Sequence, residues 1–192
     1  MLKDLLRASR SYRSFDESIK ITPEQLADWV DCARYAPSSI NLQMLKFVAV
    51  TNESLCTRLL PCTRWAGKLK DVKLPPKGHA PVAYIVICAD KDVIYTAENF
   101  DKDVGICAQT IMLAASECGF GGCMIGSFSP DSIKEILEID ENLIPKLVLA
   151  LGKPDETVEL VGETEEGSVT YYRDNGIHYV QKRKLENILI QK

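Results

Sequence analysis

Two arginines placed three residues apart are the first residues whose types and spacing suggest chemistry in this chain. The segment Arg10-Ser-Tyr-Arg-Ser14 interleaves cationic and hydroxyl side chains. A guanidinium offers a planar fork of donors to phosphate oxygens, and serine hydroxyls supply short donors between the forks. The pattern therefore predicts a phosphate site at Arg10, Ser11 and Arg13. Arginine and serine near a helix end are also common on a solvated surface, and these residues alone fit both interpretations.

A loop of small polar side chains is the second candidate. Ala36-Pro-Ser-Ser-Ile-Asn-Leu-Gln43 separates a predicted helix from a predicted strand. The side chains of Ser38, Ser39, Asn41 and Gln43 can donate to, and accept from, the edge of a flat heteroaromatic ring. Loops of this composition also serve as plain helix-to-strand connections, so this alternative stays open.

A glycine-rich turn after an apolar helix is the third candidate. Val104 to Cys118 has apolar residues on every side of a helical wheel, which indicates a helix that is buried all round. Gly119-Phe-Gly-Gly122 then ends the helix, because glycine tolerates the left-handed C-terminal turn. Cys123 to Ile125 is a predicted strand closed by Gly126, where a planar ligand can approach the backbone without meeting a side chain. A core helix with a glycine stop is the simpler interpretation of these residues alone.

The predicted elements mix helices and strands without regular alternation. Thr22-Pro-Glu-Gln25 has the form of a capping box with proline at the first helical position. Pro81 to Ala89 is apolar nearly throughout, which is typical of a strand buried on both faces. We therefore expect an α+β fold, a three-layer α-β-α sandwich with helices on both faces of one sheet. The other predicted helices and strands are Leu2 to Ser9, Glu24 to Tyr35, Lys46 to Val50, Asn52 to Thr63, Ser129 to Leu137 and Lys146 to Leu151.

The last part of the chain differs in composition. It is acidic and polar from Gly152 to Gly167, and Lys182-Arg-Lys184 adds a basic cluster near the end. Asp174-Asn-Gly176 lies between two β-type runs, Val169 to Arg173 and Ile177 to Gln181, and this pattern predicts a hairpin. We expect a domain over residues 1–153 and a C-terminal arm with a hairpin over residues 154–192.

Length, charge and composition exclude several classes of protein. A chain of 192 residues can form one domain with a sizeable core. Its net charge of -4 does not indicate a surface that binds nucleic acid. The apolar run Ala80 to Ala89 is too short to span a bilayer, and the first residues do not resemble a signal peptide. Seven cysteines without a Cys-x-x-Cys pair, and only two histidines, indicate free thiols in a reducing cytoplasm and no metal site.

Three motifs in a fixed order resemble the FMN-dependent nitroreductase family. They are Arg10-Ser-Tyr-Arg-Ser-Phe15, Ala36-Pro-Ser-Ser-x-Asn-x-Gln43 and Gly119-Phe-Gly-Gly-x-Met-Ile-Gly126. The resemblance implies a mixed, largely antiparallel sheet and a domain-entwined homodimer with FMN bound at the subunit interface. The apolar helix would then belong to the dimer core, which would account for apolar residues on all its sides, and the C-terminal arm would reach the partner.

The resemblance also implies the residues that bind the cofactor. Arg10, Ser11 and Arg13 would hold the phosphate and ribityl chain; Pro37, Ser38, Ser39 and Asn41 of the other subunit would meet the ring; Ile125 and Gly126 would lie at its N5 edge; and Lys182 or Arg183 would complete the phosphate pocket. The redox chemistry would belong to the flavin, so no catalytic side chain is expected. Electrons from NADH or NADPH would pass to a nitroaromatic, quinone or similar acceptor by a ping-pong mechanism.

Two alternatives have the same fold. One is a flavoenzyme with another reaction, such as reductive dehalogenation or the reduction of an enone or a flavin. The other is a flavin-binding dimer without catalysis.

Two departures from the family pattern and one loop add further expectations. Ser9 stands where many members carry an arginine, which predicts a weaker phosphate clamp unless Lys182 or Arg183 compensates. Met44-Leu45 replaces a frequent Pro-Trp pair, which predicts a different substrate side of the ring. Trp65 to Gly78 is basic, Pro-rich and weakly periodic, which is typical of a functional loop such as a lid. Trp65 would then cover the flavin on the substrate side by stacking. The alternative is a solvated loop with Trp65 packed in the core.

Overall fold

A five-stranded antiparallel sheet organises the first of two compact units, Met1–Pro154, and the second unit is Asp155–Lys192. The computed structural model describes residues 1–67, 69, 72–93 and 97–192, without the side chains of residues 97–100. The helices are α1 (Leu2–Ala8), α2 (Pro23–Arg34), α3 (Glu53–Leu59), α4 (Ala97–Glu117) and α5 (Pro130–Leu137). The strands are β1 (Phe15–Asp16), β2 (Leu45–Val50), β3 (Ala83–Asp90), β4 (Gly121–Ile125), β5 (Leu143–Pro154), β6 (Thr157–Gly162), β7 (Tyr172–Asp174) and β8 (Ile177–Lys182).

Strand β3 separates two halves of the core in the first unit. It lies between β2 and β5, and the order along the sheet is β1-β5-β3-β2, with β4 also paired to β5. Successive side chains of a strand point to opposite faces. Ala83, Ile85 and Ile87 pack on the side of α2 and α4, and Tyr84, Val86 and Cys88 pack on the side of α3 and α5. The α+β class, the antiparallel sheet and the helices on both faces are thus confirmed.

Helix α2 begins as its sequence predicts. The Thr22 hydroxyl accepts a hydrogen bond from the backbone N–H of Gln25 at 3.3 Å. The Gln25 side chain in return accepts one from the N–H of Thr22 at 2.9 Å. This capping box satisfies donors that the first turn of a helix cannot pair. Leu26 and Trp29 then lie on the buried side of the helix, against the sheet.

Helix α4 is longer than predicted, and in a single chain one side of this helix is buried while the other is exposed. Ala108, Ile111 and Ala115 are fully buried, whereas Ile106 and Gln109 are exposed. The expectation of burial all round is therefore wrong for one chain by itself. The helix stops where the glycines predict, because Gly119 adopts a left-handed φ of 76°. No helix of the described residues is both long and apolar enough to cross a membrane.

Several boundaries differ from the predicted ones for identifiable reasons. Helix α3 ends at Leu59 and continues as one 3₁₀ turn, Leu60–Cys62, because Pro61 has no N–H for a further α-helical bond. Strand β5 extends beyond Lys146 to Leu151 at both ends, since it pairs with β1, β3 and β4 along its length. The Ser129 hydroxyl lies 2.9 Å from that of Ser132 and does not cap α5 with its side chain.

The second unit is a three-stranded sheet with the order β6-β8-β7. The predicted hairpin is present, and its two turn residues, Asn175 and Gly176, have φ values of 46° and 80°. Both values are left-handed, as the tight hairpin turn requires. Strand β6 was not predicted; it pairs in parallel with β8. Among the described residues of this unit, His178 is the buried one, and Glu156 forms an ion pair with Arg173.

Candidate functional site

The arginine-containing segment is held against the start of β4. Ser11 and Gly122 form an isolated parallel bridge, and the N–H of Tyr12 donates to the carbonyl oxygen of Gly122 at 2.9 Å. A Cβ on Gly121 would lie 2.6 Å from the Tyr12 ring, closer than side-chain carbons approach one another. The glycines that follow α4 therefore have a second role beyond ending the helix. They allow the segment from residue 10 to residue 13 to lie directly on the strand.

Arg10 lines a cavity of about 180 Å³ between this segment, α4 and β4. The described residues around the cavity are Ser9, Arg10, Ser11, Gln109, Met112 and Met124, and none of them is acidic. The Nη2 of Arg10 donates to the carbonyl oxygen of Leu6, and the buried Nε has no hydrogen-bond partner among the described residues. Burial lowers the pKa of Arg10 from its ordinary value. Arg10 is half-buried, with an Nε that is unpaired among the described residues, and this cationic donor beside two serine hydroxyls suits an anionic ligand such as a phosphate.

Arg13 lies on the same segment but is directed along it. Its Nη1 donates to the carbonyl oxygen of Ser11 at 3.1 Å, and the side chain is half-buried. Ser9, the residue at the position where an arginine was expected, lines the cavity with Arg10. A serine hydroxyl is a shorter, uncharged donor, so Arg10 carries the charge at this point.

The polar loop between α2 and β2 has a strained backbone and is held by hydrogen bonds. Ile40, Asn41 and Gln43 have φ values of 46°, 58° and 49°, in the left-handed region that residues with a Cβ rarely adopt. The Ser38 hydroxyl accepts from the N–H of Gln43 at 3.2 Å, and the Gln43 amide donates to Asn41 Oδ1 at 3.1 Å. Ser39 turns instead toward α4, where its N–H lies 3.1 Å from Oδ2 of the buried Asp103.

The loop and the arginine cavity lie on opposite flanks of α4. Asp103, which contacts the loop, and Met112, which lines the cavity, are nine residues apart. At about 100° per residue this spacing places them roughly 180° apart around the helix axis. The helix therefore stands between the two groups of predicted cofactor residues, and one chain does not bring them together.

Strand β4 leads from the arginine cavity to Gly126. Met124 lines the cavity, and Gly126 follows two residues later, about 7 Å along an extended chain. The side chain of Ile125 is 3% exposed and packs in the core, so only its backbone is available to a ligand. Gly126 is exposed, and a Cβ placed on it would have no atom within 4 Å. The backbone at Gly126 thus faces open space.

Hydrogen bonds connect Trp65, through Thr63, to the segment that follows β4. Thr63 forms a bridge with Phe128, two residues after Gly126. The indole Nε1 of Trp65 donates to the Thr63 hydroxyl at 2.9 Å, and the half-buried ring packs against the core on the α3 and α5 side. The structure therefore shows partial packing in the core, and a role on the substrate side stays a prediction. Lys68, Lys70 and Asp71 of the predicted lid lie outside the described residues.

The two basic residues expected from the arm belong to the second unit. Lys182 ends β8 and is exposed. Arg183 is also exposed, and its Nη1 lies 3.7 Å from the Glu163 carboxylate. The assignment of Lys182 and Arg183 to a phosphate pocket stays a prediction.

Four residues near these groups were not singled out from sequence. Gln109, Met112 and Met124 line the arginine cavity, and Asp103 contacts the loop. Gln109 and Asp103 are polar residues within, or at the start of, an otherwise apolar run, and that contrast is the signal that marks them in the sequence. Met124 belongs to the third motif, whereas Met112 carries no signal of its own, because its position has the same pattern as core residues.

Met44 and Leu45 depart from the family pattern inside the protein. Met44 is 1% exposed and packs with Ala89, and Leu45 is partly buried beside it. Their side chains therefore pack in the core beneath the loop, where they also line a cavity with Ser38 and Gln43.

Comparisons with known proteins agree on one family. The model of the Nitroreductase family matches residues 6–153. An NADPH-flavin oxidoreductase of Vibrio harveyi is 29% identical over 171 residues, with 82% of this chain and 67% of that protein covered. An oxygen-insensitive NADPH nitroreductase of Helicobacter pylori is 27% identical over 182 residues, with 79% of this chain and 86% of that protein covered.

Solved structures give the same result. An FMN-dependent nitroreductase from Clostridium difficile is 25% identical and superposes with a TM-score of 0.64, with 79% of this chain and 87% of that chain covered. A nitroreductase family protein from Streptococcus pneumoniae shares the fold at a TM-score of 0.70 and 18% identity, with 90% of this chain and all of that chain covered.

The fold, the site and the comparisons together identify the family of this chain. Half-buried Arg10 lines a cavity whose described residues include no acid, and β4 leads from this cavity to the exposed backbone of Gly126. The chain belongs to the nitroreductase family.

Proposed function

We propose that the protein is an FMN-dependent oxidoreductase that takes electrons from NADH or NADPH and passes them to a small acceptor. The observation that carries this proposal is half-buried Arg10, which lines a cavity whose described residues include two serines and no acidic side chain. The names of the relatives support it, since they include flavin, NADPH and nitroreductase activity. FMN, when bound, supplies the redox centre for hydride and electron transfer.

The residues of the chain bind and orient the cofactor in this proposal. Arg10, Ser9 and Ser11 donate to its phosphate and ribityl oxygens, because they surround one cavity. Arg13 adds a second positive charge to the same segment. The exposed backbone at Gly126 accommodates the flat ring, because no Cβ stands in front of it. Ile125 supports this position from the core and contributes only backbone atoms.

A homodimer is part of the proposal. The loop from Pro37 to Asn41 lies on one flank of α4 and the arginine cavity on the other, so a loop reaching the ring must come from a second chain. The exposed side of α4 supports this arrangement. Ile106 is 39% exposed there, and Gly105 beside it leaves room for close approach of another helix.

Two classes of acceptor follow from the relatives. Nitro compounds, with quinones as chemically similar acceptors, are indicated by the name of the Helicobacter relative. Free flavin is indicated by the name of the Vibrio relative, which is 29% identical. Both acceptors are flat and take electrons readily, so a shallow open face at Gly126 suits either one.

An anaerobic spectral experiment tests the proposal. The purified protein is expected to show the visible absorption of flavin, and the cofactor released by heat should be identified as FMN by chromatography. NADH or NADPH should bleach this absorption in the absence of oxygen. A nitroaromatic, a quinone or free flavin should then restore it, and the relative rates identify the acceptor class.

The outcomes separate the alternatives. Absence of flavin, together with failure to bind added FMN, would contradict the proposed function. Bound FMN that neither nucleotide reduces would indicate a flavin-binding protein without this activity. Reduction followed by fast oxidation with an enone or a halogenated aromatic, but not with nitro compounds, would assign another reaction to the same fold.

A further inference from the structure

A buried carboxylate reaches the strained loop from α4. Asp103 is 3% exposed, and the N–H of Ser39 lies 3.2 Å from its Oδ1 and 3.1 Å from its Oδ2. The Ser39 hydroxyl lies 3.2 Å from the same Oδ1. A buried carboxylate is costly unless hydrogen bonds compensate it, and the described hydrogen bonds of Asp103 all come from this one residue. Loop and helix are thus joined across 64 positions of sequence.

The loop depends on that contact because its other bonds are internal. Gln43 binds Ser38 and Asn41, and the N–H of Asn41 donates to the carbonyl oxygen of Ser38 at 3.0 Å. Within the described part of the chain, the bonds to Asp103 are those that attach the turn from Ser38 to Asn41 to another element. Left-handed backbone at consecutive residues with a Cβ persists only where surrounding structure holds it.

We propose that Asp103 is the positioning residue for the cofactor-binding loop, and that Ser39 acts through Asp103 and not by meeting the ring. The inference rests on the proposed function, since it concerns how the loop is presented to FMN. Asp103 holds Ser39 inward, and the turn then presents Ser38 and Asn41. A loop released from Asp103 samples other conformations, and the apparent affinity for FMN falls by the fraction of time spent in them.

The substitution Asp103→Asn tests this role with a side chain of the same size. The amide keeps one oxygen but loses the charge and places an N–H₂ group against the Ser39 donors. We expect the dissociation constant for FMN, measured by quenching of flavin fluorescence, to rise about tenfold or more. Asp101→Asn is the matched control, because Asp101 is exposed and its nearest described partner is Lys146 at 3.6 Å. Its FMN affinity should equal that of the wild type.

Hydrogen–deuterium exchange measures the loop without relying on FMN. In the apoprotein, Asp103→Asn should accelerate exchange in peptides that cover residues 38–43 and leave β3 peptides unchanged. Unchanged exchange in the loop would overturn the inference. Acceleration throughout the protein would also count against it, because that result describes general destabilisation and not a released loop.

A double substitution separates positioning from direct contact. Ser39→Ala should weaken FMN binding alone, but it should add nothing in an Asp103→Asn background if Ser39 acts through Asp103. Additive losses would mean that Ser39 meets the ligand itself and would overturn the inference. Should Asp103→Asn fail to fold, Ser39→Ala alone decides: it must accelerate exchange in residues 38–43, and an unchanged loop counts against the role.

The two levels of proposal fail in different ways. A wild-type protein that binds no FMN contradicts the proposed function, and the exchange experiment still decides whether Asp103 holds the loop. A wild-type protein that binds FMN, with Asp103→Asn binding it equally well, overturns the inference alone.

Discussion

The Tyr12 ring lies against the backbone of Gly121, where a Cβ would come within 2.6 Å of it. This contact joins the arginine-containing segment to the strand that leads to Gly126. We expect Gly121→Ala to displace Tyr12, to lower the free energy of unfolding by roughly 1–3 kcal/mol and to weaken FMN binding. Gly162→Ala is the control, because a Cβ there would meet no atom within 4 Å. Chemical denaturation and FMN titration measure both effects, and equal stability of the two variants would contradict the contact.

Arg10 should contribute more to FMN affinity than an exposed arginine. Its substitution by alanine removes a charge-assisted bond to phosphate, which is worth roughly 1.5–3 kcal/mol, or about tenfold or more in the dissociation constant. Arg58→Ala on α3 is the matched control, since Arg58 is exposed and remote in sequence from the cavity. Fluorescence titration at low and moderate salt measures the change. An Arg10→Ala variant with wild-type affinity would refute the phosphate assignment.

The exposed side of α4 should form the dimer contact. Ile106→Glu places a charge in an apolar interface and should weaken association by roughly 2 kcal/mol or more. Ile19 has the same exposed fraction as Ile106, 39%, but lies outside α4, so Ile19→Glu is its control. Analytical ultracentrifugation at micromolar concentration should show monomer for the first variant and dimer for the second. Monomeric wild-type protein would reject the dimer proposal.

Trp65 should influence the acceptor while FMN remains bound. Trp65→Ala removes the ring and its bond to Thr63, and we expect changed acceptor KM or kcat together with some loss of stability. Trp65→Phe keeps an aromatic face and should retain most of the kinetics. Steady-state rates per bound flavin are the measurement. Unchanged rates per flavin with reduced stability would assign Trp65 to packing alone.

The buried thiols predict how stability changes at high pH. Burial raises the pKa of Cys56 and Cys88 from 9.0 to about 11. The folded state therefore keeps a proton that the unfolded state loses, so their contribution is complete below pH 9 and is lost as the pH rises toward 11. Cys88→Ala should reduce the loss of unfolding free energy between pH 8 and pH 10.5, on the order of 1–2 kcal/mol. Parallel pH profiles for variant and wild type would contradict this assignment.

Local signals were enough to predict the elements whose ends depend on their own residues. Thr22 and Gln25 form the capping box, Gly119 ends α4, and Asn175-Gly176 makes the hairpin turn. Each of these depends on residues within a few positions of one another. The burial of β3 on both faces likewise follows from its own residues, because a continuous apolar run directs apolar side chains to both sides of the sheet.

Features that depend on distant partners could not be read from the sequence. Strand β6 lies within an acidic and polar stretch of the chain, and its pairing with β8 involves residues about twenty positions later. No local pattern predicts a role for Asp103, because its partner Ser39 lies 64 residues away. The arginine motif and the polar loop were each found, but their separation by α4 emerges only when the helix is placed between them.

The position of α4 between the two groups has a thermodynamic consequence. If each ligand site is completed by a second chain, cofactor binding and assembly are linked, and each must strengthen the other by the same factor. FMN should then slow exchange of subunits between labelled dimers, and dilution toward monomer should release FMN. The measured affinity for FMN would depend on the concentration of the protein itself.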